Sequence, residues 1–191
     1  TSDRWVVAYP GSNTLRELEV NAAVPQTGFT SSRGKADLDP ITHGTIVTDG
    51  NQQFLYLISH DGHSRSTLAG GGSSFTDGPA DQANLNTTTL AVAPNGDIYF
   101  ADILPILTDL DTRLRMLRRS DQQIVTLATP PGAPPEGPYG TALLGEVRGI
   151  AVGPAGELYL NDNGFIRRAD PLTNTIETLS GPIATDGLEY S

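Results

Sequence analysis

The sequence contains no cysteine, and only one methionine and one tryptophan, among its 191 residues. Without cysteine there is no disulfide scaffold, no thiolate metal site and no cysteine nucleophile. Long apolar runs are missing as well. No segment approaches the roughly 20 apolar residues that a membrane-spanning helix needs, so we expect no membrane insertion.

Basic residues are scarce. Twelve Lys and Arg stand against 22 Asp and Glu, which gives a formal net charge of −10. A chain this acidic is repelled by phosphate backbones unless its few cations are gathered on one face, so we expect no nucleic-acid partner.

Turn-forming residues, by contrast, are abundant. The chain has 21 Gly and 14 Pro, and its apolar residues occur in short runs between turns. This pattern is typical of an all-β fold. A hydrophobic content of 37% is sufficient for a folded core, and the length favours a single domain.

One stretch of the chain recurs. Residues 75–102, "FTDGPADQANLNTTTLAVAPNGDIYFAD", and residues 135–162, "PEGPYGTALLGEVRGIAVGPAGELYLND", share one order of features. Each has an acidic residue and glycine, a small-residue linker, an apolar strand, Pro-x-Gly-acidic and then apolar-Tyr-apolar. The match continues into an Arg pair and a Thr-Leu pair, and weaker copies lie over 32–70 and 4–20.

The spacing of these copies predicts the architecture. Tyr56, Tyr99 and Tyr159 are separated by 43 and 60 residues, and three Thr-Leu pairs show similar intervals. A period near about 45–50 residues, lengthened by insertions, holds four strands and is typical of a β-propeller blade. The approximate repeat units are 1–31, 32–74, 75–134, 135–181 and the start of another at 182–191, so about four blades are represented.

Within a unit, the strands are numbered first to fourth from the inside outwards. The first and second strands are near-continuous apolar runs, as expected for strands covered on both faces. Asn95-Gly96 and Ala155-Gly156 predict two-residue hairpin connections between them. The third strand carries Arg113, Arg115 and Arg118, which indicates a less buried strand.

The segments "DGPADQANLNTTTLAVAPNGDIYFAD" and "EGPYGTALLGEVRGIAVGPAGELYLND", with the "LRRSD" and "IRRAD" that follow them, resemble NHL repeats. The resemblance covers 75–181 and, more loosely, 32–70. It implies a propeller, usually six-bladed, that most often acts as a binding or scaffolding module, although the family includes RNA-binding proteins and an amidating lyase. A six-bladed ring of this period needs roughly 280 residues, so we expect the chain to be part of a larger ring.

Candidate functional residues are expected on the face that carries the long connections between second and third strands and between units. They are His60, Asp61, His63, Asp102, Asp109, Asp111 and Asp162. Three interpretations are open: a divalent metal site, a catalytic acid–base pair, or solvated residues that shape turns.

Two further groups of charged residues recur with the repeat. Asp77-Gly78, Glu136-Gly137 and Asp186-Gly187 indicate turn geometry, because glycine supplies a positive φ and Asp can cap its own turn. The pairs Arg118-Arg119 and Arg167-Arg168 are either an RNA-facing stripe or partners of acidic neighbours such as Asp121 and Asp170. The negative net charge favours the second interpretation.

These observations predict a non-catalytic protein-interaction or scaffold propeller module of a larger, extracellular or cell-surface protein or assembly. We expect protein partners, no catalytic residue and no cofactor. The alternative is a six-bladed hydrolase or lyase with a divalent metal such as Ca²⁺ in its central channel. Asn86-Thr87-Thr88 is the only N-x-S/T sequon, so Asn86 is a candidate for glycosylation and for carrying a glycan.

Overall fold

A computed structural model describes residues 4–8, 15–19, 35–49, 53–103, 112–128, 136–139, 142 and 144–181. These residues form one two-stranded sheet and three larger ones, all of them antiparallel. The two-stranded sheet pairs β1 (Arg4–Ala8) with β2 (Leu15–Glu19). No helix of the described part of the chain has the length and apolarity to cross a membrane.

The three larger sheets are called the first, second and third sheets. The first sheet runs in the order β3 (Ala36–Leu38), β4 (Thr45–Thr48), β5 (Phe54–Ile58), β6 (Arg65–Gly70). The second sheet consists of β7 (Gly78–Pro79), β8 (Thr87–Val92), β9 (Ile98–Ile103), β10 (Thr112–Arg118) and β11 (Gln123–Ala128). The third consists of β12 (Gly137–Pro138), β13 (Val147–Val152), β14 (Leu158–Asp162), β15 (Phe165–Asp170) and β16 (Thr175–Ser180).

The second and third sheets have the same topology. Their spatial orders are β7-β11-β10-β9-β8 and β12-β16-β15-β14-β13. The two-residue strands β7 and β12 therefore lie at the outer edge of each sheet. From there the chain crosses to the innermost strand of the same sheet, and in the second sheet a short 3-10 helix (Ala80–Gln82) lies on this crossing. The recurrent acidic-Gly motif thus begins a sheet at its outermost edge.

In the second sheet, the near face is the one toward the first sheet and the far face is the one toward the third. The same names are used for the equivalent faces of the other two sheets. The near face of the second sheet packs Phe100 and Leu117 against Ile46 and Leu55 of the first sheet. Its far face packs Tyr99 against the third sheet in the same way, within a cluster that also includes Leu114, Leu158 and Leu160. The innermost strands β3, β8 and β13 lie side by side. The chain is therefore an all-β protein of the β-propeller class, with the sheets as its blades.

Polar bonds reinforce the stacking of the innermost strands. The Val92 N–H donates to Oδ2 of Asp37 in the first sheet at 2.8 Å. On the other side, the Thr88 hydroxyl donates to the Val147 carbonyl of the third sheet at 3.2 Å. Because these bonds replace water contacts of buried backbone groups, they fix one register between neighbouring sheets.

The turn between the first two strands differs from the expectation. Asn95-Gly96 belongs to a three-residue loop, in which the Gly96 N–H donates to the Ala93 carbonyl and the Ala93 N–H donates to the Asp97 carbonyl. Only Gly96 has a positive φ, of 86°. Pro94 explains the difference, because its ring fixes the φ that a type I turn requires at its second position.

The third strand is also more buried than its arginines predicted. Arg115 is fully buried and Arg113 is 5% exposed. In addition, Tyr56 lies in the third strand of the first sheet, whereas Tyr99 and Tyr159 lie in second strands. The Tyr56–Tyr99 spacing is therefore not a repeat interval, since an apolar-Tyr-apolar run suits any half-buried strand. Leu68, Leu127 and Leu179 do occupy equivalent fourth strands.

Stacking of the sheets depends on side chains such as Leu117, which is fully buried between the first and second sheets. We expect Leu117→Ala to lower the free energy of unfolding by about 2–5 kcal/mol, because it removes buried methyl groups and leaves a cavity. The measurement is urea unfolding. Leu172→Ala is the control, since Leu172 is 87% exposed, and its effect should stay within about 0.5 kcal/mol. Equal losses in the two variants would contradict this packing.

Candidate functional site

Asp102, one of the predicted site residues, lies at the end of β9 and is 1% exposed. Its Oδ2 accepts from Arg113 at 2.6 Å and from Arg115 at 3.0 Å. Its Oδ1 accepts the Asn86 N–H at 2.6 Å. The carboxylate therefore joins three segments of the second sheet, and its charge is neutralised inside the protein.

The two arginines also hold the start of their own repeat. Arg113 donates to the Phe75 carbonyl, and Arg115 donates to the Thr76 carbonyl at 3.0 Å. The carboxylate of Asp77 lies 3.7 Å from Arg115. Burial lowers the pKa of the Arg115 guanidinium, and Asp102 counteracts part of that effect. We call these residues the Asp–Arg cluster: Asp77, Asp102, Arg113 and Arg115.

The third sheet repeats the arrangement with one arginine. Asp162, also a predicted site residue, is 1% exposed and lies 2.8 Å from Nε of Arg167. Its Oδ1 accepts the Gly145 N–H at 2.8 Å. Burial raises the pKa of Asp162, and the Arg167 guanidinium and the Gly145 N–H counteract only part of this. Asp162, like Asp102, thus connects its sheet to the incoming chain.

The first sheet shows a variant that the sequence interpretation missed. Asp49 comes directly after β4, at the position that Asp102 has in β9. Asp49 is 5% exposed. Tyr56 occupies the register position that Arg115 has in the second sheet, and the Arg65 guanidinium lies 4.4 Å from the centre of its ring. The equivalence of Asp49 with Asp102 and Asp162 could have been recognised from the sequence, because "TIVTD", "IYFAD" and "LYLND" all have Asp at the fifth position.

His60, Asp61 and His63 do not join Asp102 and Asp162. They lie in the turn between the third and fourth strands of the first sheet, whereas the two aspartates end second strands. Because consecutive strands are antiparallel, these positions are on opposite edges of the sheets. Asp102 and Asp162 end second strands as predicted, but the expectation that His60, Asp61 and His63 share their face is wrong, because Tyr56 was assigned to a second strand. Asp109 and Asp111 lie outside the described residues.

This histidine turn is organised by its own hydrogen bonds. Asp61 accepts from the Ser59 hydroxyl and from the His63 N–H. The Ser59 bond is the main reason that the pKa of the exposed Asp61 is lowered. Nδ1 of His60 lies 3.0 Å from the His43 carbonyl. Such bonds are typical of an Asx turn. Among the described residues, no group of three His, Asp or Glu side chains could hold a metal ion.

The acidic-Gly motif has a different structural role from the one expected. Gly78 and Gly137 have positive φ, as predicted. However, Asp77 accepts from the Thr126 N–H and hydroxyl rather than capping its own turn. Glu136 likewise accepts the Thr178 N–H at 3.1 Å. Both carboxylates fasten the outer edge strand to the fourth strand. Asp186 and Gly187 lie outside the described residues.

The recurrent arginines are ion-paired. Arg118 pairs with Asp121 at 2.7 Å, as predicted. Arg168 pairs with Glu177 at 2.6 Å rather than with the suggested Asp170, because Glu177 is directly opposite on β16. Arg119 reaches 3.5 Å from Asp39 of the first sheet. These arginines therefore serve contacts within and between sheets.

One open cleft lies between the first and second sheets, at the edge formed by the turns between first and second strands and between third and fourth strands. Its volume is about 460 Å³. We call it the turn cleft, and its lining residues are Ile41, Asn95, Asp97, Arg119 and Ser120. The sequence interpretation placed binding on the opposite edge, where the connections are longer. The cleft could not be foreseen, because its residues come from two sheets and three turns.

Similarity to known proteins is confined to structure. No family model matches the chain, and no curated protein matches it. The chain is similar to a protein of unknown function from Bacteroides thetaiotaomicron, with 17% identity, 87% of this chain and 40% of that one covered, and a TM-score of 0.57. It is also similar to an auxiliary nutrient binding protein from the same organism, with 19% identity, 81% and 31% covered, and a TM-score of 0.53. The chain thus spans less than half of either protein, and the likeness concerns the fold alone.

Loss of the Asp102 carboxylate should destabilise the second sheet. We expect Asp102→Asn to lower the free energy of unfolding by about 3–5 kcal/mol, because it leaves two buried guanidinium groups without their shared carboxylate. Urea unfolding at pH 7 measures this. Asp121→Asn removes the exposed partner of Arg118, and its effect should stay below about 1 kcal/mol. A small effect of Asp102→Asn would show that the Asp–Arg cluster is not structural.

Proposed function

We propose that the chain is a non-catalytic interaction module, a β-propeller segment that belongs to a larger extracellular protein or assembly. The observation that carries this proposal is the far face of the third sheet. In the part of the chain that the structure describes, no element covers this face. Its counterparts on the first and second sheets are each covered by the next sheet.

Equivalent residues on the two far faces differ sharply in exposure. Tyr99 is 6% exposed, whereas Tyr159, at the same position of the third sheet, is 36% exposed. Leu114 is fully buried, whereas Ile166 is 41% exposed. Leu179 adds a further apolar side chain at 50% exposure. Several exposed apolar side chains on one face are typical of an interaction surface.

Polar residues on the same face favour a protein partner. Arg168 and Glu177 stand where the second sheet has Met116 and Val125, and they form an ion pair with each other. An apolar centre with charged residues beside it is the usual composition of protein interfaces. We therefore propose that this face is covered by a protein element, in the way that the other far faces are covered.

The buried carboxylates support a non-catalytic role. Asp102 and Asp162 are the predicted site residues that end second strands. Both form buried ion pairs with arginines of the third strand. A divalent metal or an acid–base reaction would need carboxylates that remain open to a ligand. Among the described residues, no group of open carboxylates supports the hydrolase or lyase alternative.

Two further observations fit a binding role and an extracellular location. The nutrient binding protein to which the fold is similar has a binding function by its description. The sequon at Asn86 fits secretion from a eukaryotic cell, and Asn86 is half-buried at the start of β8. Its glycosylation remains a prediction.

If the far face of the third sheet is an interface, the isolated chain should self-associate and bind a hydrophobic dye through that face. We expect Ile166→Thr to reduce self-association in size-exclusion chromatography with light scattering. It should also reduce the fluorescence of bound anilinonaphthalene sulfonate, because it removes an apolar side chain from the exposed patch. Its effect on the free energy of unfolding should stay within about 1 kcal/mol.

Leu172→Ser is the matched control, since Leu172 is exposed but lies in a turn outside this face. It should change neither readout. A monomeric chain that binds no dye, and that Ile166→Thr leaves unchanged, would overturn the proposed interface.

Calorimetry tests the non-catalytic part of the proposal. Titration of the chain with Ca²⁺ or Zn²⁺ should give no one-site binding tighter than about 10 μM. Tight binding at one site, lost on replacement of a carboxylate, would favour the metal-dependent hydrolase or lyase instead.

A further inference from the structure

The turn cleft combines a fixed cation with unused hydrogen-bonding capacity. The two terminal nitrogens of Arg119 each lie 3.5 Å from Oδ2 of Asp39, which is a long contact. Asp39 is fully buried, and its carboxylate accepts closer bonds from the Ile41 N–H and the Thr42 hydroxyl. Arg119 is therefore held in position by Asp39, while most of its five N–H groups stay free to bind a ligand.

The second wall of the cleft presents acceptors in a fixed arrangement. Asp97 accepts the Arg119 N–H on Oδ1 at 2.9 Å and the Asn95 amide on Oδ2 at 2.9 Å. Asn95 in turn accepts the Asp97 N–H at 3.1 Å. Each of these oxygens retains a lone pair, and Ser120 adds a hydroxyl that both donates and accepts. The cleft is thus lined by both donors and acceptors.

The remaining wall is apolar. Ile41 is 59% exposed and lies across the turn of the second sheet. A side chain at position 96 would not fit there, since a Cβ on Gly96 would lie 2.7 Å from Cγ1 of Ile41. Glycine therefore allows the isoleucine to lie against the hairpin, where its exposed hydrocarbon side chain stands beside the polar groups.

Charge narrows the class of ligand. Two aspartates, Asp39 and Asp97, accompany the single Arg119, and the chain carries a net charge of −10. The negative field would repel an anion, and the guanidinium of Arg119 would repel a cation. A ligand whose hydroxyl groups both donate and accept can bond to both kinds of group, and its C–H groups can contact Ile41. The volume of about 460 Å³ lies within the range of small-molecule sites.

We propose that the turn cleft binds a neutral carbohydrate. In this assignment, Arg119 donates to ring or hydroxyl oxygens, Asn95 and Asp97 accept from hydroxyl groups, and Ile41 contacts the C–H face. The inference deepens the proposed function, on which it rests, by giving the module a ligand at an edge distinct from the far face of the third sheet.

The test is titration of the ¹⁵N-labelled chain with a panel of neutral mono- and disaccharides, followed by amide chemical shifts. We expect shifts at Gly96, Asn95 and Ser120. Arg119→Ala should weaken binding by about tenfold or more, since it removes charged donors. Ser120→Tyr should block the cleft by bulk while it leaves the Arg119–Asp39 contact in place, so it tests the site even if Arg119→Ala unfolds the chain.

Arg118→Ala is the matched control, because Arg118 is the adjacent arginine and pairs with Asp121 outside the cleft. It should leave binding unchanged. The proposal is overturned if no sugar shifts these amides, if Arg118→Ala and Arg119→Ala weaken binding equally, or if gluconate or lysine binds more tightly than every neutral sugar. None of these outcomes affects the Ile166→Thr and calorimetry results, so failure of this site and failure of the interaction module are distinguishable.

Discussion

The buried Asp–Arg ion pair at the end of the second strand is the interaction on which the second and third sheets depend. In the second sheet, Asp102 holds two arginines of the third strand and the backbone before the first strand. The arginines in turn hold residues 75–77, which arrive from the preceding sheet. A buried carboxylate is stable only with such partners. The pair therefore ties one blade internally and fixes the chain that enters it.

The same constraint explains why the most suggestive acidic residues are poor candidates for chemistry. A carboxylate that stabilises a blade is closed to solvent and already bound to guanidinium groups. The groups that remain open lie at the opposite edge, where Arg119 is held less closely by Asp39. We propose that a small ligand is recognised at that edge, apart from the buried carboxylates.

The far face of the third sheet is not covered by any element of the described part of the chain. The second and third sheets each bury their near face against the sheet before them, and the far faces of the first and second sheets are covered by the next sheet. In the third sheet, Tyr159 and Ile166 keep the apolar character of that face, whereas Arg168 and Glu177 make it more polar than its counterpart. This mixture of apolar and charged residues fits the protein interface that we propose.

The sequence by itself determined the repeat, the all-β class and the hairpin of the first two strands, because turn residues and apolar runs act locally. It also indicated that Arg118 pairs with Asp121, three residues away. Only the tertiary structure decided that Arg113 and Arg115 are buried, since their burial depends on Asp102 across the strand pair and on residues 75–77. The turn cleft and the separation of the histidine turn from Asp102 likewise depend on how sheets stack, which residue spacing does not encode.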